Sequence, residues 1–203
     1  MEGVDLEHLR AALFPSPRHT PFLGDDGVLE TQLVPAAVLF PIVMHGSAPS
    51  VLLTQRTDDL KHHPGQISFP GGRVEDSDAS LAAAALREAT EEIGLPASQV
   101  EVLGYLPEYR TGTGYRITPV VGCVTPPFTL SPDPREVAEV FEVPLAFLLD
   151  AANYREYERE LQGRMRRYFA VPYERYFIWG ATAGIIVSLS SALRGSGPEA
   201  LAG

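Results

Sequence analysis

The chain has 203 residues and is 45% hydrophobic, so one domain with a sizeable core is expected. Its net charge of −10 argues against a nucleic-acid-binding surface, which would be basic, and implies that an anionic substrate needs a metal and local cations to approach. The single Cys123 excludes an internal disulfide and fits a reducing compartment; no apolar run is long enough to span a membrane and the N-terminus lacks a signal-peptide pattern, so a cytoplasmic protein is expected.

In chain order, residues 4 to 14 read as a short amphipathic helix, with Leu6, Leu9, Leu13 and Phe14 on one side. Pro15, Pro17 and Pro21 then give an irregular connection. Residues 33 to 44 and 51 to 55 are apolar and separated by a short turn, which predicts a hairpin of two buried strands. Arg56 to Gln66 is a polar loop with candidate cations at Arg56, Lys61, His62 and His63. Contact with substrate phosphates is one reading of this loop, and a solvated charged surface is the other. Ile67 to Phe69 should be a short strand entering the turn Pro70-Gly71-Gly72, where glycine permits positive φ and close approach to a ligand.

Ser80 to Ile93 is the best-defined helix, rich in alanine and leucine. Gly94 is placed to end it, with Leu95 making the accompanying apolar contact and Pro96 forbidding continuation. A 3.6-residue period puts Ala82, Leu86, Ala89 and Ile93 on the buried stripe. The neighbouring face carries Glu88, Glu91 and Glu92 at spacings that bring like charges together. Arg87 can pair with Glu91, which leaves Glu88 and Glu92 uncompensated. Such a cluster persists if a cation neutralises it, and carboxylate oxygens suit Mg²⁺ or Mn²⁺. An ordinary solvated acidic face is the alternative.

After the helix, Val100 to Leu106 reads as a strand and Glu108 to Tyr115 as a loop whose glycines, hydroxyls and Arg110 could hold a diphosphate or simply face solvent. Ile117 to Val124 is largely apolar, as a central strand would be. Pro126 to Pro134 should be exposed. Glu136 to Leu149 begins as a strand and turns helical after Pro144. Glu136, Glu139 and Glu142 are secondary candidates for a metal ligand or base, with surface charge the plainer reading of each. Asn153 to Arg167 predicts a charged hairpin partner for Tyr168 to Tyr173. The segment from Phe177 opens the last helix, with Trp179 as a core anchor. The expected division is an N-terminal helix and arm over 1–28, one domain over 29–194 and a tail over 195–203. Pattern alone gives α/β or α+β.

Residues 69 to 95 resemble a Nudix box, G-x5-E-x7-R-E-U-x-E-E-x-G-U. Arg87, Glu88, Ala89, Glu91, Glu92, Gly94 and Leu95 match its second half. One extra residue before Arg87 puts Gly72 and Asp78 at the glycine and glutamate positions. That insertion, and the run Leu-Leu-Thr-Gln-Arg-Thr from Leu52 to the Phe-Pro-Gly-Gly ending at Gly72, are similar to the coenzyme A pyrophosphatase branch. Thr57 replaces serine and Lys61 replaces arginine in that pattern. Ile178-Trp179-Gly180 and Thr182-Ala183 also resemble the family's C-terminal motif.

The resemblance implies an α/β/α sandwich with a mixed sheet and metal-dependent diphosphate hydrolysis. The substrate it implies is coenzyme A or its acyl derivatives, with ADP-ribose or a dinucleotide as the alternative. A non-catalytic nucleotide-binding module is a third reading, against which the intact glutamates count. The resemblance makes Glu88 and Glu92 direct metal ligands and Glu91 a ligand to a further ion or a base, with Arg87 orienting Glu91. The Gly72 carbonyl joins the metal. Gly71, Gly72, Arg56, Lys61 and Arg110 form the substrate side, with Arg56 and Lys61 the nearest candidates for the 3′-phosphate of coenzyme A.

Overall fold

The computed structural model describes residues 5–19, 21–24, 33–46, 48–60, 63–161 and 164–195. Its elements are α1 (Leu6–Ala11), β1 (Pro21–Gly24), β2 (Val34–Val43), β3 (Ser50–Arg56), β4 (Ile67–Ser68), β5 (Gly71–Arg73) and α2 (Leu81–Ile93). They continue with β6 (Val100–Tyr105), β7 (Glu108–Arg110), β8 (Tyr115–Val124), β9 (Val137–Pro144), α3 (Leu145–Leu149), β10 (Arg155–Leu161), β11 (Arg164–Tyr173), β12 (Tyr176–Trp179) and α4 (Ala181–Arg194).

The centre is a parallel pair, β2 with β8, in unbroken register from Val34 opposite Tyr115 to Val43 opposite Val124. Antiparallel partners flank it: β3 and β5 on β2, β6 and β7 on β8, and β9 on β3, so the sheet is mixed. The predicted hairpin of β2 and β3 is present, pairing through Ile42–Val51 and Val43–Ser50.

Strands in the middle of a sheet covered on both faces must be apolar on both. Ala37, Leu39, Val43, Leu52, Val120 and Val124 face Ala84, Ala85, Ala89 and Ile93 of α2. Phe40, Ile42, Val51, Leu53, Val121 and Cys123 face the other way, toward α1, α3 and α4 through Leu9, Leu148, Ile185, Ile186 and Leu189. The result is the expected α/β/α sandwich. Among the described residues, no helix is long and apolar enough to cross a membrane.

Four expectations need correction. The stripe α2 buries is Ala84, Ala85, Ala89, Glu92 and Ile93, whereas Ala82 and Leu86 are only half-buried. Small alanines let the helix sit close to the sheet, and this turns the wheel so that a glutamate faces inward. Glu108 to Arg110 is the strand β7 rather than loop, because its backbone pairs with β8 and, in parallel, with β1. Tyr176 to Trp179 is also a strand, not the start of the last helix: it pairs with β11, and α4 begins only at Ala181. The strand period then puts Tyr176 and Ile178 in the core and leaves Trp179 half-buried on the outer side, edge-on to Tyr168. Arg56 belongs to β3 as its last residue, rather than to the loop that follows. Lys61, His62 and the tail beyond 195 lie outside the described residues.

The Gly94 end of α2 behaves as expected, while Ser80 is the cap ahead of Leu81 rather than the first helical residue. The Ser80 side chain accepts from the Ala83 amide at 3.1 Å. Gly94 is left-handed, φ 68° and ψ 19°, and the amides of Gly94 and Leu95 close back on Thr90 and Ala89. A Cβ at Gly94 would stand 2.8 Å from the Ser131 amide nitrogen. Gly94→Val should therefore destabilise the fold by roughly 1–2 kcal/mol or more, from backbone strain and the collision with Ser131. Chemical denaturation checks this, and an unchanged midpoint would show that the position tolerates a side chain.

Candidate active site

The sequence of α2 places Glu88 and Glu92 one turn apart, on the flank beside the strand β5. There β5 pairs with β2 through Gly71–Val38, Gly72–Ala37 and Arg73–Ala36. The turn that feeds β5 has to lie flat against the helix, and glycine allows it. A Cβ on Gly72 would fall 2.5 Å from Glu88 Oε1, and one on Gly71 would fall 2.5 Å from the Ala37 carbonyl oxygen. Backbone and carboxylate therefore meet with no side chain between them.

Glu92 is buried at 5% exposure. Its Oε2 accepts the Gly71 amide at 3.1 Å, and its Oε1 lies 3.7 Å from Arg56 Nη1. Burial pushes its carboxyl up to about 7, against the opposing pull of the Gly71 amide and Arg56, while the charges of Glu88 and Glu136 push it further the same way. Glu88 is raised as well, chiefly by burial, with Arg87 opposing and Glu91 and Glu136 adding repulsion. Glu91 reaches solvent, with its side chain 62% exposed.

Arg87 holds this flank together. Its Nε and Nη2 bind the two oxygens of Asp78 at 3.0 and 3.1 Å, and Nη2 also donates to the Arg73 carbonyl at 3.1 Å. Its Nη1 donates to Glu88 at 2.9 Å and to Glu91 at 3.1 Å. The Arg87 hydrogen bonds hold the Asp78 carboxyl below its ordinary value, and Asp78 in turn raises Arg87. The expectation that Arg87 serves Glu91 alone, leaving Glu88 and Glu92 without cations, is thus corrected. One guanidinium spans both Glu88 and Glu91, and Arg56 stands at Glu92.

Glu88, Glu91, Glu92, Arg87, Gly71, Gly72 and Arg56 come together here. Arg110 does not join them directly: it pairs with Arg116 on β8, and both β8 and β2 separate its strand from β5. Of the secondary acids, Glu142 contacts His45 and Ser50, and Glu139 binds Arg175 and Tyr176. Only Glu136 bears on the site. The spacing of charges in α2 gives no hint that Arg73 contributes a carbonyl or that Arg56 pairs with Glu92, since both contacts join distant segments.

Among the described residues no three His, Cys, Asp or Glu side chains converge into a ready-made cation cage. The donor chemistry nevertheless fits a hard divalent ion. Every donor is oxygen, and Glu88 and Glu92 are desolvated carboxylates that repel one another, which a cation between them would relieve.

Residues 33–162 match the NUDIX domain family. The protein named uncharacterized Nudix hydrolase NudL in Escherichia coli O7:K1 is 49% identical over 155 residues, covering 76% of this chain and 80% of that protein. Its namesake in Shigella boydii serotype 18 is 50% identical over 157 residues with the same coverage. Among solved structures, the Nudix hydrolase RenU of M. smegmatis aligns at a TM-score of 0.47 and 31% identity, over 56% of this chain and 71% of its own.

The raised Glu92 carboxyl has a consequence for stability. Between the ordinary value of 4.5 and about 7, folded Glu92 keeps a proton that the unfolded chain releases. The native state then binds more protons, so stability falls as pH rises through that window. In EDTA, urea midpoints should drop between about pH 5 and about pH 8, by a free energy on the order of 3 kcal/mol. Glu92→Gln, which cannot ionise, should flatten the curve and be more stable than the parent at the upper pH. Parallel curves for the two proteins would show that Glu92 titrates normally.

Proposed function

This chain belongs to the Nudix hydrolase family, and on that premise we propose that it splits the diphosphate bond of coenzyme A or its acyl derivatives. Water is consumed, and the products are 4′-phosphopantetheine and adenosine 3′,5′-bisphosphate. The observation that supports this substrate is the segment Leu52 to Gly72. It carries the pattern similar to the coenzyme A branch, and both of its ends touch the acidic flank of α2. Arg56 meets Glu92, and Gly71 and Gly72 lie against Glu92 and Glu88.

In this reading Glu88, Glu92 and the Gly72 carbonyl hold Mg²⁺ or Mn²⁺. The ion, when bound, supplies positive charge to the diphosphate oxygens and polarises the attacking water. Glu91, at the solvent side, accepts the proton that the water loses or holds a further ion. Arg87 keeps Glu88 and Glu91 at a fixed separation without touching substrate. The Gly71-Gly72 backbone leaves room for the diphosphate to approach. Arg56, beside Glu92, is well placed for the diphosphate itself. That favours the diphosphate over the 3′-phosphate as its target and leaves Lys61 as the candidate for the 3′-phosphate.

Three experiments test this reading. Competition between coenzyme A and ADP-ribose at fixed magnesium should favour coenzyme A, and Glu92→Gln should cut turnover by at least about a hundredfold in a folded protein. Preference for ADP-ribose would overturn the substrate, and near-normal turnover of the variant would overturn the ligand. Replacing Arg56 with alanine should lower kcat/KM about ten- to a hundredfold, equally for coenzyme A and 3′-dephospho-coenzyme A. A loss confined to coenzyme A would return Arg56 to the 3′-phosphate.

A further inference from the structure

Side chains alternate along the short strand β5, so Gly72 and Arg73 look to opposite faces of the sheet. Gly72 is opposite Ala37, which faces α2, and Arg73 is opposite Ala36. Ala36 in turn stands beside Ile117 of β8, which packs on the other core, and Val34 stands beside Tyr115. Arg73 and Tyr115 therefore share the face turned away from α2. There the Arg73 Nε and Nη2 donate to the Tyr115 hydroxyl at 3.3 and 2.9 Å, and the guanidinium carbon lies 5.5 Å from the ring centroid.

Both partners are held from behind. The Arg73 carbonyl accepts from Arg87 Nη2, so the clamp on α2 also fixes this backbone. The Tyr115 carbonyl accepts the Thr111 amide at 2.9 Å, and the Tyr115 amide donates to the Thr111 hydroxyl at 3.0 Å. Arg73 is exposed, Tyr115 is half-buried, and Val34 beside them leaves apolar surface open at 37% exposure. In a chain with a net charge of −10, Arg73 turns its fork to a phenol rather than to a carboxylate. The Nε–Nη2 edge is one that can grip a phosphate with two parallel bonds, and Tyr115 already occupies it. What the arginine leaves open is its flat face.

We propose that Arg73 and Tyr115 form the platform on which the purine base of the substrate stacks. This inference rests on the diphosphate-hydrolase reading but not on the choice of coenzyme A, since ADP-ribose carries the same base. Aromatic rings and arginine planes both stack on bases. Gly72 directly precedes Arg73, so the platform begins one residue from the backbone that the hydrolase reading gives to the metal and the diphosphate. Among the described residues β5 pairs with β2 alone, which leaves its outer edge open for a substrate to pass from one face to the other. Val34 adds an apolar rim. A contact that merely tidied the edge of the sheet would also bring Arg73 onto Tyr115, so the test must read the base itself.

The test is calorimetric binding of adenosine 3′,5′-bisphosphate and of its abasic counterpart, 1-deoxyribose 3,5-bisphosphate, to the parent, Arg73→Lys, Tyr115→Phe and Tyr115→Leu. The two probes carry the same phosphates, so the base is what distinguishes them. The parent should bind the adenosine probe about tenfold or more tighter than the abasic one. Arg73→Lys keeps the charge without the plane and should remove most of that difference, as should Tyr115→Leu. Tyr115→Phe keeps the ring but releases Arg73 and should remove part of it. The abasic probe should bind every variant as it binds the parent. Arg73→Lys and Tyr115→Phe, the milder changes, keep the test readable if Tyr115→Leu fails to fold. A base preference that survives Arg73→Lys, or equal losses on the two probes, would overturn the inference. So would a parent that binds the probes alike or binds neither. Turnover is a separate readout: a parent that grips the adenosine probe through Arg73 yet splits no adenosine diphosphate conjugate would overturn the hydrolase reading and leave the platform standing.

Discussion

The guanidinium of Arg87 holds the outer half of the acidic flank of α2 together. A planar fork with five donors can hold several acceptors in one plane, and here it gathers Asp78, the Arg73 carbonyl, Glu88 and Glu91. One of those groups belongs to β5, one to the loop that follows it and two to the helix. The clamp therefore turns a loop and a helix into one rigid body. A lysine could not do the same, since a point charge has no fork to span them. The Asp78 carboxylate has its side chain 4% exposed, and its ionised form persists there because Arg87 donates to both oxygens and the Glu75 amide to one of them.

Glu92 shows the opposite case, a carboxylate held under strain rather than in comfort. Its helix turns it inward because alanine, not leucine, makes up most of the contact with the sheet. The Gly71 amide and Arg56 only partly offset the burial. A group kept in that condition is ready to exchange a distant cation for a close one. Arg56 tempers Glu92 from the end of β3.

How much of this can be read from the chain depends on the range of each interaction. The α2 helix and its Gly94 stop follow from local chemistry, and the structure has them at those residues. The central strand near Ile117 to Val124 and the β2–β3 hairpin follow from apolar runs. Failures come where tertiary pairing decides. The Glu108 to Arg110 stretch has no strand pattern of its own and becomes a strand because β8 offers a partner. Trp179 looks like core by size, but an alternating strand gives the interior to Ile178. In the site, the helix register made Glu88, Glu91 and Glu92 legible. The pairing of Arg56 with Glu92 was hidden, because it joins residues from two distant segments.

The parallel pairing of β2 with β8 has a consequence for how the molecule comes into being. The two strands meet in register although they are about 80 residues apart along the chain, and everything between them includes the Arg87 clamp and the glycine turn. Closing so long a loop is entropically unfavourable until the whole ladder forms, which makes such topologies slow to fold. During synthesis from the N-terminus, α2 is complete before β8 exists to finish the sheet beneath it. An alanine-rich segment of 13 residues holds only fractional helical structure through that interval, since isolated helices this short are marginal in water. Its glutamates, repelling one another and one another's copies on neighbouring chains, keep the waiting surface apart from its own kind. The charges that crowd one flank of the finished helix serve solubility in the unfinished chain.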